Sequence, residues 1–294
     1  MESYSVLQVL NNIEMLKTKY PRYVFKSKVM KIQMSAVPHR DIVHHYRPKT
    51  ALSELFNSRT GDELEQDVVD FINKLSQESN VDHRNFGVTG SILTGIHNVS
   101  FSDMDITVYG LKNSIKVKNS LLQEYGRKTS TIKFPQGAIH GRMVRGWAKH
   151  YTLPLDEARW FARRKWNRGF FRGRAFSLHP VRSSEEINEK YGDKVYFPGR
   201  ITEGMANIVD AEGSVFLPCV YSLDNVDVDC STCVDEIVSY DGFYSGIFQV
   251  GDTINFRGKL EKVVVKRSGN VTWRVLIGSP EARGFDYIRP KLTE

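Results

Sequence analysis

Apolar residues recur at helical spacing in the opening stretch SYSVLQVLNNIEMLKTKY, at Val6, Val9, Leu10, Ile13 and Leu16, which predicts a helix. From Tyr23 to about Pro48 the pattern turns extended. YVFKSKVMKIQM alternates in part, and VPHRDIVHHYRPKT ends in a proline-bearing turn. GDELEQDVVDFINKLSQES then reads as an amphipathic helix, with acidic residues in its first turns and Leu64, Val68, Phe71, Ile72 and Leu75 as the apolar stripe. A short strand (FGV), a Gly-Ser turn, a helical turn (SILTGIH) and a strand (DMDITVYG) follow. LKNSIKVKNSLLQEYG and LPLDEARWFARRKWN read as helices, RAFSLHPVR as a strand and SSEEINEKYG as a short capped helix.

Helix and strand therefore alternate from residue 61 to about 192, which predicts an α/β or α+β unit. After FPGRI the texture changes. NIVDAEGSVFLPCVYSL reads as two strands around an Ala-Glu-Gly turn, and DTINFRGKLEKVVVKRSGNVTWRVLIGS as a hairpin turning at Ser268-Gly269-Asn270. The expected organisation is an N-terminal helix and β-containing extension over residues 1–60, an α+β core over 61–198, and an all-β, barrel-like domain over 199–294.

Composition narrows this picture. An apolar fraction of 40% over 294 residues suffices for packed cores. No apolar run is long enough to span a bilayer, and the opening residues lack a signal-peptide layout. The expectation is a cytoplasmic protein with no membrane partner. A net charge of +7 favours an anionic partner, such as a nucleotide or nucleic acid. Three cysteines are too few for a disulfide framework.

The candidate chemistry lies in GVTGSILTGIHNVSFSDMDITVYG, residues 87–110. Residues two apart on a strand share a face. Asp103, Asp105, Thr107 and Tyr109 thus fall on one side, and Met104, Ile106 and Val108 on the other. Two neighbouring carboxylates repel unless a cation lies between them, and oxygen ligands suit Mg²⁺ or Mn²⁺. Gly90 lets a backbone approach closely, and Ser91 offers a hydroxyl beside amides that can face a phosphate. A phosphate cradle beside a carboxylate pair is equipment for phosphoryl or nucleotidyl transfer.

The order of strand, Gly-Ser, helical turn and Asp-x-Asp on the next strand resembles the DNA polymerase β-type nucleotidyltransferase superfamily. Eleven residues separate Ser91 from Asp103, within that superfamily's usual gap. The fuller wording, GVTGSILTG then SDMDITVYG, is more similar to a group of archaeal predicted nucleotidyltransferases in which a β-rich tail follows the catalytic core. DEIVSYDGFYSGIFQVGDTINFRGKLEKV fits such a tail. The resemblance implies a polymerase β-like core and transfer of a nucleoside monophosphate from a nucleoside triphosphate to a hydroxyl of RNA, protein or a small molecule. It implies Asp103 and Asp105 as metal-holding catalytic residues, and Gly90 and Ser91 as nucleotide-binding residues. It also implies a third carboxylate on a later strand. The strand expected to carry one, RAFSLHPVR, has His179 instead. His179 is a candidate base, with Glu185 and Glu186 as alternatives. A catalytically inert protein that binds nucleotide or RNA is the rival reading.

RWFARRKWNRGFFRGR, residues 159–174, is the most basic stretch. Seven Arg or Lys are interleaved with Trp160, Phe161, Trp166, Phe170 and Phe171. Arg163, Arg164, Lys165 and Arg168 are candidate contacts to RNA, with the aromatic rings either stacking on bases or forming core. Arg172 and Arg174 are candidates for gripping a triphosphate. Cys219, Cys230 and Cys233 could hold Zn²⁺, but no second C-x-x-C is present, and ordinary thiols are the favoured reading. His39, His44 and His45 read as loop and strand histidines.

Overall fold

The computed structural model describes residues 6–58, 60–228 and 233–292. The chain forms two compact units. One, the terminal unit, joins residues 1–44 to residues 188–294. The other, the central unit, is residues 45–187.

The terminal unit begins with α1 (Val6–Lys19), where the helical spacing placed it, and a small antiparallel pair, β1 (Val24–Lys26) and β2 (Gln33–Ser35).

The central unit opens with α2 (Pro48–Asn57). The sequence reading ended this region in a turn. Pro48 is instead the first helical residue, where its fixed φ and missing N–H cost nothing. Next is α3 (Glu63–Ser79), which starts with a reciprocal capping box between Asp62 and Glu65. Its whole expected stripe is buried. Then come β3 (Phe86–Val88), the single turn α4 (Gly90–Leu93), β4 (Met104–Tyr109) and α5 (Leu111–Gly126). β5 (Ile132–Lys133), α6 (Gly137–His150), α7 (Leu155–Arg164), β6 (Arg168–Phe171) and β7 (Arg174–Val181) complete the unit.

The five central strands form a mixed sheet in the order β3-β4-β7-β6-β5, in which only β4 and β7 run parallel. The Phe71 ring of α3 lies 5.2 Å from Phe171 and 4.4 Å from Phe176, tying that helix to β6 and β7. Met104, Ile106, Val108, Phe176 and Leu178 are buried. Two residues further, the segment expected as a short helix after β7 is a 3-10 turn (Ser184–Glu186) closed by its own capping box.

The rest of the terminal unit is β8 (Lys194–Asp210), β9 (Cys219–Val228), β10 (Glu236–Ser239), β11 (Thr253–Val265), β12 (Val271–Ile277) and β13 (Tyr287–Pro290). The all-β texture holds, and the β11–β12 hairpin turns around Gly269 at φ +71°. The expected barrel is not clear. The strands form a mixed six-stranded sheet ordered β12-β10-β9-β8-β11-β13, with β10 and β12 parallel and β12 also bonded to β11. The long strand β11 divides one edge between β13 and β12 and bulges at Lys259/Glu261. Inside lies a paired charge cluster. Glu261 accepts from Arg274 at 2.8 and 3.0 Å and meets Lys259 at 3.2 Å.

Candidate active site

The site is built where β3 ends, α4 begins and β4 runs beside β7. Asp103 immediately precedes β4, and Asp105 is its second residue. The Thr89 amide donates to the Asp105 carbonyl at 2.8 Å, which seats the Gly-Ser turn over β4. Gly90 has φ +64°, and a Cβ there would collide with the Asp105 carboxylate. The glycine is thus required both by its conformation and by the carboxylate lying against it. Among the described residues the Ser91 hydroxyl has no hydrogen-bond partner.

The parallel register sets Ser177 opposite Asp105 and His179 opposite Thr107. Ser177 Oγ donates to Asp105 Oδ1 at 2.5 Å and lies 2.7 Å from His179 Nε2, which is 3.5 Å from the same carboxylate oxygen. A hydroxyl has one proton. With that proton directed at Asp105 Oδ1, Ser177 accepts from His179, which places a hydrogen on His179 Nε2. Ser177 was not singled out in the sequence. The signal was its position two residues before His179 on the same strand face.

Arg168 of β6 pairs with Ser177 from the other side, so Asp105, Ser177 and Arg168 form a row across three strands. The hydrogen bond from His179 holds the Asp105 carboxyl below the ordinary range against the cost of its burial, with help from Ser177 and the charge of Arg168. Asp103 is pushed the other way, first by desolvation and then by the charge of Asp105. Two carboxylates coupled by repulsion and offering hard oxygen donors fit Mg²⁺ or Mn²⁺, with coordination positions left for other oxygens. Among the described residues no group of three His, Cys, Asp or Glu gathers at one point.

The other expected residues separate. Thr107 shares the face of Asp105 but is buried, and Gly87 packs so closely that a Cβ there would collide with the Thr107 hydroxyl and with Pro48. Tyr109 lies under the Lys49 ammonium at 4.3 Å. Glu186 accepts the Leu111 amide at 2.8 Å and the Ser183 amide at 3.0 Å, so both its oxygens cap backbone. Arg172 pairs with Asp70 at 2.6 Å. Arg174 pairs with Asp67 at 2.6 Å and donates to the Val99 carbonyl at 2.8 Å, which pins the loop entering Asp103. In the basic stretch, Phe161, Trp166 and Phe171 are core, and Lys165 is buried with them. Arg164 stacks on Trp160 at 4.1 Å. Arg163 and Arg168 are exposed. Cys219 is buried in β9 and Cys233 is exposed; Cys230 lies outside the described residues.

Among the described residues no helix is long and apolar enough to cross a membrane. No family model matches the chain, and no solved structure matches it. The chain is similar to an uncharacterized protein of Methanocaldococcus jannaschii, with 28% identity over 276 residues, covering 94% of this chain and 79% of that protein.

Proposed function

We propose that the central unit is a polymerase β-like nucleotidyltransferase core that moves a nucleoside monophosphate from a nucleoside triphosphate to a hydroxyl. The observation that carries this reading is the packing of the Gly90-Ser91 turn onto the Asp105 carboxylate, with Asp103 beside it and Arg168 across the sheet. A turn built for phosphate thereby borders a carboxylate pair built for a cation. Asp103 and Asp105 would hold Mg²⁺ or Mn²⁺, which when bound neutralises phosphate oxygens.

The chain's own residues supply the rest. Ser91 donates its hydroxyl to a phosphate oxygen, and Arg168 adds positive charge on the sheet. Ser177 and His179 hold Asp105 ionised and oriented. The acceptor oxygen forms a bond to the α-phosphorus, the bond from that phosphorus to the bridging oxygen of the β-phosphate breaks, and pyrophosphate leaves. His179 takes the acceptor's proton at Nδ1, because its Nε2 already carries hydrogen toward Ser177.

The test is incubation with each labelled triphosphate, Mg²⁺ or Mn²⁺, and RNA, protein and small-molecule acceptors. Label is expected in one acceptor class, and Asp103→Asn and Asp105→Asn each lower it by roughly 100-fold or more, the scale of a lost charge-stabilising group. Full activity in both variants would remove the carboxylates from the mechanism. The presence of Ser177 and His179 where the resembling superfamily has a carboxylate supports a second reading, an inert nucleotide-binding core. Calorimetric binding of triphosphate with no label transfer under any condition would select it.

A further inference from the structure

The charge of this protein is concentrated. Residues 137–168 contain eight lysines and arginines against Asp156 and Glu157, so this segment carries +6 of the chain's +7. It folds as α6, α7 and the start of β6. α6 contains no carboxylate, and its Arg142, Arg145 and Lys149 follow the i, i+3, i+7 spacing of one helix face. On α7, Arg159 and Arg163 are four apart. All five are exposed and, among the described residues, have no ion pair. Like charges three and four apart destabilise a helix, and a bound polyanion removes that penalty. The segment ends at Arg168, whose charge acts on both Asp103 and Asp105.

A second observation lies on the opposite side in the sequence. Phe101 is 79% exposed and stands two residues before Asp103. It is not on a loose loop. The Phe101 and Ser102 amides donate to the Asn98 carbonyl at 3.2 and 2.9 Å, and Arg174 holds the Val99 carbonyl. An exposed aromatic ring on a backbone pinned two residues from Asp103 is a candidate stacking platform.

We propose that the acceptor is a single-stranded nucleic acid, its phosphates on the cation stripes of α6 and α7 and one base stacked on Phe101. The word acceptor rests on the nucleotidyltransferase reading; the surface itself does not. Phosphate contacts alone would serve a duplex equally well. A lone ring needs an unstacked base, which only a single strand provides.

The experiment is fluorescence anisotropy of a labelled single-stranded RNA of mixed sequence, without nucleotide, titrated across salt. Wild type binds at low salt, with affinity falling steeply as salt rises. Replacing Arg142, Arg145, Lys149, Arg159 and Arg163 with Gln flattens the log–log salt slope by about 3.5, at roughly 0.7 per phosphate contact. Phe101→Ala weakens the single strand roughly 5- to 150-fold, the range of one lost base stack, with the slope unchanged. It leaves an RNA duplex of equal length unaffected. Circular dichroism melts confirm that both variants are folded. Absence of binding by wild type at low salt overturns the proposal, and so does a Phe101→Ala protein equal to wild type on the single strand. RNA binding as described with no label transfer would sink the transferase reading and leave this surface standing. Label transfer to another acceptor by a protein that does not bind RNA would do the reverse.

Discussion

Asp103 and Asp105 are two residues apart, yet their surroundings drive their acidities in opposite directions. Desolvation and the charge of Asp105 raise Asp103. The native protein therefore binds that proton more tightly than the unfolded chain, and the contribution of Asp103 to stability declines as pH rises above the ordinary carboxylate value of about 3.9. Asp105 is lowered, chiefly by the His179 hydrogen bond. Its contribution is present above about 3.9 and is lost as pH falls through its lower native value. Without divalent cations at neutral pH, Asp103→Asn should melt above wild type, because it removes a desolvated charge repelled by Asp105. Asp105→Asn should melt lower by a few degrees, since hydrogen bonds to a charged group are worth about 1.5–3 kcal/mol. Thermal melts between about pH 3 and 7 check both. A lower melting temperature for Asp103→Asn would mean that the pair is not held in repulsion. The aspartates and Gly90 were readable from spacing alone. That Gly90 is needed to make room for the Asp105 carboxylate was not, because the two are fifteen positions apart in the chain and meet only across a turn and a strand.

Among the elements, the connection from α4 to β4 is held to α3 at two points. His97 Nε2 lies 2.7 Å from Asp62 Oδ2, at the helix cap, and Arg174 bridges Asp67 to the Val99 carbonyl. Arg174 is thus a positioning residue for the loop that delivers Asp103. Arg174→Ala should accelerate hydrogen exchange of the amides from residue 96 to 103 by about tenfold, the effect of losing roughly 1.4 kcal/mol of local protection. Arg174→Lys should restore little, because a single ammonium cannot reproduce the guanidinium fork. Unchanged exchange in Arg174→Ala, read by mass spectrometry, would release this arginine to a role on nucleotide. The helices α3, α5 and α7 match their periodicity closely. α6 was not read at all. Its sequence, GAIHGRMVRGWAKH, sets Ile139, Met143, Val144 and Trp147 at helical spacing, but a glycine start and two internal glycines weaken the helical signal and only Val144 is fully buried.

For the whole molecule, the central unit is one continuous segment, whereas the terminal unit is assembled from both ends of the chain. A fragment covering residues 45–187 has its own five-stranded sheet and its own buried core. It should therefore unfold in a single cooperative transition. A fragment covering 188–294 lacks residues 1–44 and should be less stable than the same residues in the intact chain. Circular dichroism melts of both fragments test this, and a non-cooperative melt of residues 45–187 would show that the central unit depends on the remainder.

The sequence by itself determined what local repetition and short spacing can encode. It placed the stripe of α3, the alternation of β4, the Gly-Ser step and the carboxylates that share a strand face, since each depends on residues within one or two turns or pleats of one another. The tertiary structure decided which strand lies beside which. The parallel register of β4 and β7 brings Ser177 and His179 to Asp105 across more than seventy residues. The β8–β9 and β11–β12 antiparallel pairs are those expected from the chain, but the parallel pairing of β12 with β10 was not encoded by any turn between neighbouring strands. Burial of Phe161, Trp166 and Phe171 turns three candidate base-stacking rings into core. The physical reason is common to all three. Strand order, register and the choice between core and surface for an aromatic ring minimise the free energy of the whole packed unit, and no window of neighbouring residues contains that information.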